Sequence, residues 1–155
     1  MRRICIIPCG KRKIWKDQPD HGPAKAHYAY TGIFHKLCQQ YARQFYEEWI
    51  ILSAKHGFLK PEDIVPGDYD LGFHMDDQDI ITLLELKKQA ARLRLEEADK
   101  VIMLGGKKYE PILRSLLDNE IHFPLAGSKG IGDMQSKLKS SIVTNAELGE
   151  GFKDH

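Results

Sequence analysis

Apolar residues fall into two kinds of pattern along this chain. Arg3–Pro8 (RICIIP), Glu48–Ala54 (EWIILSA) and Lys100–Leu104 (KVIML) are short unbroken apolar runs. Such runs mark strands buried on both faces, as in parallel sheets. Between them the period changes. Ile33, Phe34, Leu37, Cys38, Tyr41, Ala42 and Phe45 recur at steps of one, three and four, which predicts a helix over residues 28–45. Ile80, Ile81, Leu84, Ala91 and Leu95 predict a second helix, capped at Asp76-Asp77 and running to about Glu97. A short helix follows over 109–117, then a strand over 120–125, placed near an edge by Pro124. A last helix spans 133–144, with fraying expected from about residue 146.

Strands that alternate with amphipathic helices predict an α/β fold. The expectation is a single α/β domain over residues 1–155. It takes the form of a three-layer αβα sandwich, Rossmann-like or flavodoxin-like, with a mainly parallel sheet of about four or five strands. Residues 9–27 and 58–76 are rich in Gly, Pro, Asp and Lys and read as two long loops. Loops of that length are functional more often than inert. Ligands of such sheets bind beyond the carboxyl ends of the strands.

Composition narrows the function. The chain has 155 residues, 42% hydrophobic and 29% charged, which excludes bulk disorder. A net charge of +1 gives no global field for holding long nucleic acid non-specifically. No apolar run approaches the ~20 residues that cross a bilayer. The N-terminal run is too short for a secretory signal, so the expected location is the cytoplasm, away from membranes. Three cysteines with no CxxC spacing argue against disulfides and zinc. Cys5 and Cys38 read as small buried hydrophobes. Cys9 differs, because it follows Pro8 where the apolar run gives way to Gly-Lys-Arg-Lys.

Small or polar residues follow every apolar strand: Pro8-Cys9-Gly10-Lys11, Ser53-Ala54-Lys55-His56-Gly57, Gly105-Gly106-Lys107-Lys108-Tyr109 and Pro124-Leu125-Ala126-Gly127. In a parallel sheet these segments share one rim. Lys11 and Lys13 either cradle a phosphate with Gly10 or form a solvated basic turn. Cys9 is either a nucleophile, its thiol acidified by those lysines and served by His56 or His21, or a small residue at a tight strand exit. Ser53, Lys55 and His56 either move protons or complete a turn. Tyr69 and Asp70 either hold a planar base and its polar edge or form an Asx turn. Gly127, Gly130 and Gly132 either bring amides to an anion or loosen a loop.

Taken in order, PCGKRK (8–13), PAKAHYAYTGIFHK (23–36), WIILSAKHGFLKP (49–61), DYD (68–70), VIMLGGKKY (101–109) and PLAGSKGIGDMQSKL (124–138) resemble an uncharacterised bacterial, archaeal and phage domain family. Its members carry Pro-Cys-x-Lys, Ser-Ala-Lys-x-Gly and Gly-Ile-Gly motifs; His56 stands where they usually have Tyr. More remotely the chain resembles the core domain of archaeosine synthase, a tRNA-base-modifying enzyme, through Pro8, Cys9, Lys13, Ser53, Pro61, Tyr69 and Asp70. Ile14 and Trp15 replace that domain's Pro-Tyr. A further distant likeness is to the peroxide-stress YaaA-type proteins.

The function expected from these residues is a nucleobase-, nucleoside- or nucleotide-directed enzyme that modifies a base or transfers at a glycosidic bond without metal or cofactor. Cys9, Ser53 and Lys55 are its candidate catalytic residues. Lys11, Lys13, His56, Tyr69, Asp70, Gly105, Tyr109, Gly127 and Gly132 are its candidate binding residues. The rival is a non-catalytic nucleotide- or nucleic-acid-binding module, motivated by the cluster Arg2, Arg3, Lys11, Arg12, Lys13 and Lys16. A third class is an interaction protein whose rim residues serve only turns.

Overall fold

A computed structural model describes residues 1–149 and 152–153. In chain order the elements are β1 (Arg3–Pro8), α1 (Ile14–Asp17), β2 (Ala24–Lys25), α2 (Ala26–Ala29), α3 (Ile33–Phe45), β3 (Trp49–Ser53), β4 (Gly57–Leu59) and β5 (Ile64–Val65). There follow α4 (Leu83–Arg92), β6 (Lys100–Met103), α5 (Glu110–Leu116), β7 (Glu120–Phe123), α6 (Ile131–Thr144) and β8 (Phe152–Lys153). The main sheet has the order β4-β3-β1-β6-β7, with β8 alongside β7. Strands β3, β1, β6 and β7 are mutually parallel, whereas β4 and β8 run antiparallel to their neighbours. Register is fixed at the centre, where Cys5 lies between Trp49 and Ile102.

The unbroken apolar run of β1 has a direct cause. Ile4 and Ile6 belong to one core with Leu86, Ala90 and Leu113 of α4 and α5. Cys5 and Ile7 belong to another with Cys38, Tyr41 and Leu138 of α3 and α6. Alternate side chains thus enter different cores, and a polar residue has no place on either side. Cys5 and Cys38 are fully buried, and burial pushes both thiols up, as small core residues should behave. Among the described residues no helix is long and apolar enough to cross a membrane.

Several boundaries differ from the sequence expectation. The loop over 9–27 contains α1, whose Trp15 is buried and donates its indole N–H to the Gly22 carbonyl at 2.8 Å. The helix expected from residue 28 starts at Ile33, after the extended Gly32. The loop over 58–76 begins with β4, and Asp76-Asp77 caps no helix: Thr82 does, accepting the Glu85 N–H at 3.1 Å. At the start of the tail, where fraying is expected from about residue 146, the Ala146 N–H reaches the Ser141 carbonyl, Glu147 pairs with Arg3 at 2.7 Å, and the Leu148 N–H donates to the Tyr41 hydroxyl. Of the rest of that tail, residues 150, 151, 154 and 155 lie outside the described residues.

Candidate functional site

The chain passes from β1 to its neighbour β3 on one side and from β6 to its neighbour β7 on the other, so the connections diverge between β1 and β6. That divergence opens a crevice beyond the carboxyl ends of β1 and β6, where open α/β sheets take their ligands. A cavity of about 220 Å³ occupies this place. Cys9, Gly10, Lys11 and Lys13 line it from the β1 exit, Leu52 and Ala54 from β3, Asp70–Met75 from the long loop, and Lys108 and Tyr109 from beyond β6. An adjoining cavity of about 400 Å³ is lined by Lys11, Arg12, Lys13, Lys16, Asp68, Tyr69 and Asp70. The two share Lys11, Lys13 and Asp70.

The β1 exit is built from behind. Gly10 has φ +81°, a left-handed turn that favours glycine. The His35 imidazole, 2% exposed, donates from Nδ1 to the Pro8 carbonyl at 2.7 Å. Its Nε2 accepts from Gln39 at 2.8 Å, and Gln39 also donates to the His27 carbonyl. Burial pulls His35 down to about 4, so it stands neutral as a fixed strut rather than a base.

Ser53 anchors the next segment. Its Oγ accepts the N–H groups of Lys55 (3.2 Å) and His56 (3.0 Å). Both lone pairs are thereby used, so its own O–H donates to the Tyr69 hydroxyl at 2.6 Å. Tyr69 in turn donates to the Tyr30 hydroxyl at 2.5 Å. Burial raises both phenols above their ordinary range, with Cys9 acting in the same direction. The turn after β3 is held from α4: Gln89 accepts the Phe58 N–H at 2.7 Å and donates to the His56 carbonyl at 2.9 Å. Gly57 has φ +74°, and a Cβ there would overlap Gln89 Oε1 and lie 2.6 Å from Ile81 Cδ1.

Most of the candidate residues meet here. Cys9, Lys11, Lys13, Asp70 and Tyr109 line the first cavity; Tyr69 lines the second and bonds Ser53. The Lys55 ammonium lies 5.8 Å from the Tyr69 ring centroid. The His56 ring meets Tyr69 edge-on at 5.2 Å, and its Nε2 is buried without a hydrogen-bond partner among the described residues. Burial lowers His56, and the Lys55 charge adds to this. Gly105 faces Tyr109, whose Cε2 would lie 2.6 Å from a Cβ there. His21 lines neither cavity and contacts the Gly22 carbonyl from an exposed loop.

Other candidates are placed apart from the first cavity. Gly127 and Gly132 share the rim but line neither cavity; Gly127 turns the chain after β7 with φ +84°, and Gly132 lies inside α6. Tyr69 is 9% exposed, has the Lys13 ammonium 4.2 Å from its ring centroid, and lines the adjoining cavity. The basic cluster divides: Arg2 binds Glu48 and Arg3 binds Glu147 at the amino end of β1, opposite Lys11–Lys16. Tyr30, His35, Gln39, Gln89, Phe73 and His74 complete the site without having been singled out from sequence. The one available signal was the spacing of His35 and Gln39, a helical turn apart on the apolar side of α3. Among the described residues no group of three or more His, Cys, Asp and Glu is arranged to hold a metal ion.

Comparison with known proteins fits the sequence resemblance at family level. A family model described as "Family of unknown function (DUF6884)" matches residues 4–140, and the chain belongs to that family. The chain is also 45% identical over 150 residues to "Uncharacterized protein YfjM" of Bacillus subtilis (strain 168), covering 96% of this chain and 100% of the relative.

Proposed function

With membership of that family as the premise, we propose that the chain is an enzyme acting on a nucleobase, nucleoside or nucleotide, by base modification or transfer at a glycosidic bond. The observation that supports this best is a thiol in the wall of a cavity at the β1/β6 crevice. Its lining combines the apolar Leu52, Leu71, Phe73 and Tyr109 with the charged Lys11, Lys13, Lys108 and Asp70. Apolar walls suit a planar ring; a few convergent polar groups orient it. In this reading Cys9 is the nucleophile. Ser53 positions Tyr69 and the loop behind it, and Lys55 supplies a charge at the rim. Asp70 accepts from the ring or sugar, and Lys11 with Lys16 attracts a phosphate in the adjoining cavity. The architecture is read as a three-layer, flavodoxin-like sandwich, because the parallel order β3-β1-β6-β7 is the flavodoxin order and each pair of helices packs into its own core. The resemblance to the core domain of archaeosine synthase points to the same substrate class.

Thermal-shift screening against nucleobases, nucleosides and nucleotides tests the reading, since a ligand of the native state raises its stability. Stabilisation by a member of this set, with turnover lost but affinity kept in Cys9→Ser, is the expected result. No stabilisation by any of them at millimolar concentration overturns it. A binding module is favoured by the basic wall Lys11, Arg12, Lys13 and Lys16. It predicts that Lys11→Ala loses affinity while no turnover accompanies binding in the native protein.

A further inference from the structure

We propose that Cys9 and Lys13 act as a thiol–amine pair, in which Lys13 carries the proton that Cys9 gives up when its sulfur bonds to a ring carbon of the ligand. The proposal rests on the reading of Cys9 as nucleophile and assigns Lys13 a different role from phosphate binding. Lys13 is 3% exposed, and no other Lys, Arg, Asp or Glu is buried among the described residues. A buried ammonium is costly unless paired and fully hydrogen-bonded. Lys13 is compensated only in part. Among the described residues its ammonium makes one hydrogen bond, to the Lys11 carbonyl at 2.9 Å. It rests 4.2 Å from the Tyr69 ring centroid and 6.0 Å from that of Tyr30. An ammonium has three N–H donors, so a bond to Lys11 and a contact with the Tyr69 face leave one unspent. Both Lys13 and Cys9 line the smaller cavity.

The groups around Lys13 bear on its proton. Burial pulls the ammonium below its ordinary range; Cys9 opposes this most, then Asp68 and Asp70, while Lys11 adds to the lowering. The phenols of Tyr30 and Tyr69 stay protonated because burial raises them, so they do not compete for the proton. The step balances. Lys13, an ammonium, holds the proton that Cys9 has given up, and the sulfur stands as thiolate. Sulfur forms an S–C bond to the carbon of a ring C=N, and the π pair moves to the ring nitrogen. That nitrogen takes the proton from Lys13, which is left as the amine. No oxidant or reductant is required.

Iodoacetamide is the probe, because it reports thiol nucleophilicity without any nucleotide. Labelling of Cys9 near pH 7 is followed by mass spectrometry in the folded protein, in the same protein in concentrated guanidinium chloride, and in Lys13→Met. The buried Cys5 and Cys38 serve as slow internal controls in the folded state. The expected result is faster Cys9 labelling folded than unfolded, despite burial, and a slowing of roughly tenfold in a folded Lys13→Met. Equal or slower labelling in the folded native protein overturns the pair, and so does an unchanged rate in Lys13→Met. If Lys13→Met fails to fold, the folded-against-unfolded comparison decides alone. Nucleotide stabilisation without a labelling advantage defeats the pair and leaves the proposed function standing; a labelling advantage without nucleotide binding does the reverse.

Discussion

Removing one oxygen, in Tyr69→Phe, tests whether the Ser53–Tyr69–Tyr30 chain holds the site together. Ser53 is 0% exposed and Tyr30 1%, so water cannot replace the lost partner. The variant takes away the Tyr69 acceptor of the Ser53 O–H, whose oxygen is already committed to the Lys55 and His56 N–H groups, and leaves it only a weaker contact with the Tyr30 hydroxyl. It also strips the Tyr30 hydroxyl of the hydrogen bond it receives. A buried donor that loses its partner costs about 1–3 kcal/mol and an unfilled acceptor somewhat less, for a total of about 2–3 kcal/mol. At this chain length that lowers Tm by roughly 5–10 °C. Thermal unfolding by circular dichroism reads it directly. Ser53→Ala removes the donor that Tyr69→Phe deprives of its partner, so the double variant costs less than the sum, with a coupling of about 1 kcal/mol or more. A Tm change under about 1 °C, or strict additivity, refutes the network.

Other outcomes follow from the same geometry. Gly57→Ala combines a left-handed φ with an overlap on Gln89, breaking two side-chain bonds; a loss of about 3 kcal/mol is expected in denaturant unfolding. Gly105→Ala drives a methyl into the Tyr109 ring and to 2.8 Å from Met103 Cε, so it displaces the cavity wall and should weaken ligand binding more than it lowers Tm. Stability should also depend on acid. His35 is held neutral in the fold, at about 4, but takes a proton near pH 6.5 when unfolded. Its contribution is present above pH 6.5 and is lost as pH falls toward 4, by about 3 kcal/mol. His27 and His56, also lowered, add to the same slope. His35→Gln should flatten that slope in equilibrium unfolding between pH 7 and 4.5; an unchanged slope contradicts the assignment.

The legible parts of the fold were those with enough residues to average over. Strand β1 and helix α3 are long apolar patterns whose burial is decided locally, and a parallel sheet follows from their alternation. Strand β4 is three residues long, begins with a left-handed glycine and owes its turn to Gln89 on α4, so no local signal marks it. The Asp76-Asp77 cap failed for a related reason. Acidic residues suit any N-terminus, and only the Thr82 hydroxyl shows which turn the helix uses. Cys9, Lys11, Lys13, Asp70 and Tyr109, which line the first cavity, were legible as neighbours because each follows a strand or sits in a long loop. Lys13 read equally as a phosphate ligand or a solvated turn residue, because burial is a property of the packed loops around it. Tyr30 and Tyr69, separated by 39 positions, are joined by hydroxyls whose encounter no periodicity encodes.

The most direct test of a ligand site at the β1/β6 crevice is an amide ¹H–¹⁵N titration with a nucleobase, its nucleoside and its monophosphate. The account predicts saturable shifts confined to Cys9, Gly10, Lys11, Asp70, Gly105 and Tyr109, extending to Lys16 with the monophosphate. Shifts centred on another face of the molecule, or none with any of the three, contradict it.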